Sequence, residues 1–150
     1  LDKLNNKKLY SPEVTKLSSI IAKKSFVRNA LKSFQKKFIK NSRLVVVEGR
    51  DIGSKIMPNA DLILFFTCSV KEKAKRRLKE FKMLNKKITL KQVEKALIQR
   101  DKEDMERKIS PLILKKNAVI VDTTKLNIKQ METKLINLVT NSIKKKYGNL

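Results

Sequence analysis

The chain has 150 residues, 41% apolar and 34% charged, which suits one domain with its own core, and no apolar run approaches the roughly 20 residues a membrane-spanning helix needs. Histidine is absent, which removes His-based triads and His-ligated metal sites, and the single cysteine, Cys68, cannot close an intrachain disulfide, so a reducing, cytoplasmic setting is expected. The net charge of +23 invites a nucleic-acid partner, yet seven of the 37 basic residues are arginine and the rest are lysines spread through most of the chain, so a solvated lysine coat is the simpler account.

The chain opens on Leu1 rather than Met, and residues 1–10 are polar and lysine-rich, read as a strand remnant and a loop with no targeting segment in view. Ser11 and Pro12 then read as N-cap and first helical residue of a helix running to about Lys23. A second helix is expected from about Ser25 to Ile39, where Val27, Leu31, Phe34 and Phe38 follow a helical stripe. Arg28 lies near its start, where a helix N-terminus helps hold an anion; one more basic residue on a solvated face is the alternative.

Leu44, Val45, Val46 and Val47 have the pattern of a short strand buried on both faces. Charge then arrives abruptly as Glu48, Arg50 and Asp51, threaded between Gly49 and Gly53. Open α/β sheets bind ligands beyond the carboxyl ends of such strands, although an ordinary strand exit with solvated charges has the same look. Residues 58–60 read as a turn, and residues 61–67 as a second buried strand.

Ser69 and Glu72 have capping-box spacing and launch a helix to about Leu84 that carries Arg76 and Arg77; Thr89 and Gln92 open another to about Arg107. Val93 and Leu97 define the inner face of that last helix, and Arg100, Asp104 and Arg107 continue the same line. Burying unpaired charge is costly, so its far end is expected to border a polar pocket for an anionic or hydroxylated ligand; an exposed ladder of ion pairs is the alternative. Ser110 and Pro111 end this region, residues 118–121 form a third buried strand, and Asp122, Thr123 and Thr124 follow it. Asn127 and Gln130 cap a final helix with Ile128, Met131, Leu135, Leu138 and Val139 inward, and Lys144, Lys145 and Lys146 make a solvated tail. Helices alternating with short buried strands indicate an α/β fold with a parallel sheet.

Taken in order, Gly49-Arg50-Asp51-Ile52-Gly53, Pro58-Asn59-Ala60-Asp61, Ala74-Lys75-Arg76-Arg77, Arg100-Asp101 with Asp104 and Arg107, Ser110-Pro111-Leu112 and Asp122-Thr123-Thr124 resemble bacterial cytidylate kinase. Upstream, Ser11-Pro12-Glu13-Val14, Ser19-Ile20-Ile21-Ala22 and Val27-Arg28-Asn29-Ala30-Leu31 also fit, so the resemblance spans roughly residues 9–140. It implies a P-loop nucleoside monophosphate kinase core, incomplete here, with a helical acceptor-binding insertion and a lid. One domain is expected, with about 1–40 binding the acceptor, 41–70 and 112–150 forming the core, and about 71–111 forming the lid and substrate helix. The implied reaction is phosphorylation of CMP and dCMP with ATP and Mg²⁺ by a monomeric cytoplasmic enzyme of pyrimidine metabolism that needs no specific nucleic acid or membrane.

The resemblance also implies roles. Ser19, Arg28 and Asp51 would surround the cytosine, Arg100 and Asp104 would hold the ribose, and Arg50 and Arg107 would hold the monophosphate. Arg76 and Arg77 would belong to the mobile lid, and Glu48 would act through Mg²⁺ or its waters. Tyr10 stands where the family often has arginine, and Lys55 where it usually has an apolar or neutral residue. With only Gly49, Gly53 and Gly148, no G-x-x-x-x-G-K-[ST] loop is present, so the chain is expected to be the C-terminal two-thirds of such an enzyme. A basic nucleic-acid-binding protein and a non-catalytic CMP-binding remnant are the rival readings.

Overall fold

The computed structural model describes residues 12–22, 24–84 and 87–148. The expected cap Ser11, the opening residues 1–10 with Tyr10, and the expected helix end at Lys23 lie outside them. Helices α1 (Pro12–Ile21) and α2 (Ser25–Lys40) come first, then a π-helical turn (Ile52–Ile56), strand β1 (Leu64–Thr67) and helices α3 (Val70–Met83) and α4 (Leu90–Glu106). Strand β2 (Val119–Asp122) and helix α5 (Ile128–Tyr147) complete the order.

Local capping chemistry sets the helix starts. Thr89 Oγ1 accepts the Gln92 N–H while the Gln92 side chain accepts the Thr89 N–H, and Asn127 and Gln130 make the same reciprocal pair on α5. At α3 only half of this forms, with Ser69 Oγ accepting from Glu72 N–H. Helices α3 and α4 then pack as a hairpin around Ala74, Phe81 and Val93, with Leu78, Ile88, Leu90 and Leu97 against them. Burying an aliphatic or aromatic side chain of this size contributes roughly 1.5–3 kcal/mol. Lys73 and Asp101, 2.6 Å apart, add an ion pair across the hairpin.

β1 and β2 pair in parallel, Leu64 beside Val119 through Thr67 beside Asp122. The ladder extends at both ends, with Val119 N–H donating to Ile63 O and Thr123 N–H to Thr67 O. Cover over this pair is uneven: Val121 is fully buried, whereas Phe66 and Ile120 are about half exposed. A strand buried on both faces over residues 61–67 is therefore corrected to a shorter one with one open flank.

The expected strand at residues 44–47 is also corrected. These residues carry no ladder, and Leu44 is 89% and Val46 100% exposed. A strand exists only as half of a hydrogen-bonded pair, and among the described residues no neighbour lies beside this one. The stripe on α2 likewise faces outward at Leu31, Phe34 and Phe38, the helix turning Arg28, Gln35 and Ile39 toward the protein instead. On α5, Met131, Leu135 and Leu138 are half-buried as expected of an inner face, but Ile128 is 81% exposed and Val139 is exposed too.

Candidate functional site

The segment after residue 47 closes into the π-helical turn, Met57 N–H donating to Ile52 O at 2.7 Å and Lys55 N–H to Asp51 O at 2.8 Å. Its glycines answer to close approach. A Cβ on Gly49 would sit 2.8 Å from Ile52 Cγ1, and one on Gly53 2.8 Å from Ile63 Cγ2. The turn holds Asp51 opposite α2, where Arg28 reaches it with NH1 to Oδ2 at 3.0 Å while Arg28 Nε donates to Ala22 O at 2.6 Å. Both side chains are mostly buried.

From α4, Asp104 Oδ1 accepts from Arg107 NH1 at 2.9 Å, and Arg107 Nε donates to Ser110 O at 2.6 Å. Arg50 Nε lies 2.8 Å from Asp104 Oδ2, a charge contact without hydrogen-bond alignment, so Oδ2 keeps its accepting capacity. Arg100 Nε and Arg107 NH2 are buried without a partner. The helix face that begins with the buried Val93 thus stays turned inward as it becomes charged, as the spacing predicts.

These elements meet around a cavity of about 250 Å³ lined by Arg28, Arg50, Arg100, Arg107, Asp51 and Asp104, with Ser18 and Ala22 from the end of α1. Four guanidiniums face two carboxylates there, leaving two positive charges in excess. Burial, then the neighbouring Arg28, push the Arg107 pKa below its ordinary value, with Arg50 acting the same way and Asp104 and Asp51 opposing. Buried donors without partners and uncompensated positive charge are what a phosphate group relieves. A larger cavity of about 780 Å³ adjoins, sharing Ser18, Ala22, Arg28 and Asp51 and continuing past Lys55 and Ile56 to Ile109 and Pro111.

Six of the residues singled out in the sequence therefore converge: Arg28, Arg50, Asp51, Arg100, Asp104 and Arg107. The side chain of Ser19 lies outside the described residues, while its neighbour Ser18 lines both cavities. Arg76 and Arg77 lie elsewhere. Arg76 ties α3 to the β2–α5 connection through Thr123 O at 2.7 Å and Leu126 O while pairing with Glu72 one turn back on its own helix, and Arg77 pairs with Glu80 and stacks over Phe81. Glu48 is exposed and outside the cavity lining. Among the described residues no three ligating side chains come together for a metal ion, so a Mg²⁺ ion would have to be carried mainly by substrate phosphates rather than by a protein cage. Sequence reasoning missed the carbonyls of Ala22 and Ser110, which orient Arg28 and Arg107; the Ser-Pro pair after α4 was the available signal.

The molecule is thus a parallel α/β fold whose helix ends converge on an arginine-lined, carboxylate-flanked cavity. The family model for cytidylate kinase matches residues 2–141, and the chain belongs to that family. It is 39% identical over 132 residues to the cytidylate kinase of Thermotoga petrophila, covering 88% of this chain and 60% of that protein. The cytidylate kinase of Thermosipho africanus is 40% identical over 129 residues, 86% of this chain and 58% of its own length, and that of Pediococcus pentosaceus 39% over 133 residues, 89% and 58%. The chain thus spans about 60% of the length of these relatives. Among the described residues no helix is long and apolar enough to cross a membrane.

Proposed function

We propose that the protein carrying this chain phosphorylates CMP and dCMP with ATP and Mg²⁺, and that these residues form its acceptor side. The observation that carries the reading is the buried, unpartnered Arg100 Nε and Arg107 NH2 beside a cavity with two positive charges in excess. A nucleoside monophosphate brings a phosphate dianion, ribose hydroxyls and a base, which the cavity, Asp104 Oδ2 and the adjoining Asp51–Arg28 pair can each engage.

In this scheme Arg50 and Arg107 clamp the acceptor phosphate, whose ionised oxygen is the nucleophile. No general base is required, in keeping with a chain that has no histidine. Arg100 and Asp104 hold the ribose, and Asp51, with Arg28 and Ser19, reads the cytosine. Catalysis is then alignment and charge neutralisation rather than proton transfer. Mg²⁺, when bound on the nucleotide phosphates, supplies part of that neutralisation, and Glu48 is the carboxylate offered to it. None of these 150 residues forms a G-x-x-x-x-G-K-[ST] loop for the ATP phosphates. Arg76 and Arg77, as lid arginines, would first have to exchange Thr123 and Glu80 for substrate on closure.

Titration calorimetry of the chain with CMP, UMP and inorganic phosphate tests the reading. CMP should bind, phosphate should compete with it, and Arg107→Lys should weaken both. A polynucleotide reading draws support from exposed Phe26, Phe34 and Phe38 on the lysine-rich α2. A concave cluster of four arginines with two carboxylates favours a small anion over a strand. No CMP binding by wild type, with single-stranded RNA binding that persists at physiological salt, would reverse the choice.

A further inference from the structure

We propose that Ser110 is a positioning residue for Arg107, acting through its backbone carbonyl; the inference rests on the nucleotide reading above and deepens it. Ser110 has φ of 53°, the single non-glycine positive value among the described residues, and it precedes Pro111. Positive φ is uncommon outside glycine, asparagine and aspartate, and a following proline restricts the backbone further. An observed outlier of this kind is a reason to look for function.

What the conformation achieves is visible on both sides. Arg107 caps α4, its N–H donating to Glu103 O at 3.1 Å, and the chain then loops back so that Leu112 N–H donates to Asp104 O at 2.7 Å. Between these anchors, Ser110 presents its carbonyl to Arg107 Nε at 2.6 Å. With NH1 on Asp104, two bonds in different directions fix the guanidinium plane and leave NH2 as the buried nitrogen without a partner. The fork is thus aimed before any ligand arrives. Rotation of the guanidinium would otherwise trade the Asp104 contact against the ligand contact, and a group held in advance loses less freedom on binding.

The test uses the full 150-residue chain with Ser110→Gly, Ser110→Ala and Ser110→Val, alone and with Arg107→Lys. Affinity for inorganic phosphate and for CMP is read by calorimetry, stability by urea melts, and the Arg107 Nε–H by ¹⁵N NMR. Glycine accepts positive φ, and alanine, unbranched at Cβ like serine, meets no more steric resistance there than the native residue, so both should bind within about twofold of wild type. Valine, β-branched, resists this φ and should weaken both ligands about tenfold or more, the scale of one misplaced charged hydrogen bond. In the Arg107→Lys background the valine change should add nothing to the affinity loss.

In wild type, the Arg107 Nε–H should be slow to exchange with water and should stay so when phosphate saturates the protein; this readout carries the test if Ser110→Val does not fold. Binding that is sensitive to Arg107→Lys but untouched by Ser110→Val would overturn the positioning role alone, as would an Nε–H that phosphate itself takes over. Wild-type protein that binds neither phosphate nor CMP would overturn the nucleotide reading and this inference with it.

Discussion

Replacing Asp104 by asparagine separates a nucleotide site from a merely basic surface. The substitution keeps the shape and removes the charge. Asp104 and Arg107 are 13% and 11% exposed and pair at 2.9 Å. Breaking a buried ion pair of this kind costs roughly 3–5 kcal/mol, but the asparagine carbonyl can still accept from Arg107, so about half of that is retained. The contact with Arg50, whose side chain is 45% exposed, adds less than about 1 kcal/mol after solvent screening. The free protein should therefore lose about 2–3 kcal/mol of stability in urea melts.

Ligands should respond in opposite directions. With one carboxylate gone, the excess positive charge rises, so inorganic phosphate should bind at least as tightly as before. CMP, in contrast, loses the acceptor that Asp104 Oδ2 offers to a ribose hydroxyl. A hydrogen bond to a charged group is worth roughly 1.5–3 kcal/mol, so CMP affinity should fall about ten- to a hundredfold. Calorimetry with both ligands at two or three salt concentrations reads the two effects separately. CMP binding that tightens in step with phosphate would refute the reasoning, because it would make Asp104 a repulsive neighbour of the site rather than part of it.

Other outcomes follow from the same geometry. Asp51 can accept from the cytosine amino group, which uracil lacks, so Asp51→Ala should weaken CMP about ten- to a hundredfold and UMP much less; equal losses would make the Arg28–Asp51 pair purely structural. The 150-residue chain by itself should not convert CMP to CDP with ATP and Mg²⁺, since it has no phosphate-cradling loop; turnover by protein purified free of host kinase would show otherwise. The Asp122 carboxylate accepts from Thr124 Oγ1 at 2.6 Å and Thr124 N–H at 2.8 Å, and these bonds hold its pKa below the usual carboxylate value. A depressed folded-state pKa contributes stability above the ordinary carboxylate pKa and loses it as pH falls through the lowered value. Thr124→Ala also removes the pH-independent bond from Ser69 N–H to Thr124 Oγ1, so urea melts of wild type and variant should differ most at neutral pH and less in strong acid, and a constant gap would count against the linkage.

Which features could be read from the chain alone depends on how local their physics is. The caps at Thr89 and Asn127 formed as their spacing predicts, because a capping box is complete within four residues. The line from Val93 through Leu97 to Arg100, Asp104 and Arg107 was legible for the same reason: helical periodicity places these residues on one face without help from the rest of the molecule. Family membership also followed from ordered short motifs, each of which a sequence displays directly.

Tertiary structure decided the rest. Residues 44–47 have the composition of a buried strand, yet Val46 is fully exposed, because pairing and cover must come from segments distant in sequence. The outward turn of Phe34 and Phe38 on α2 has the same origin: periodicity defines a face, but only packing says where that face points. Arg50 meets Asp104 across more than fifty residues, just ahead of a π-helical turn whose i→i+5 bond no residue pattern announced. The Arg107 aim depends on a carbonyl at Ser110, and a backbone oxygen carries no side-chain signature. Sequence thus determined which charged groups could serve a ligand, while the convergence of four arginines on two carboxylates was settled by contacts spanning from Arg28 to Ser110.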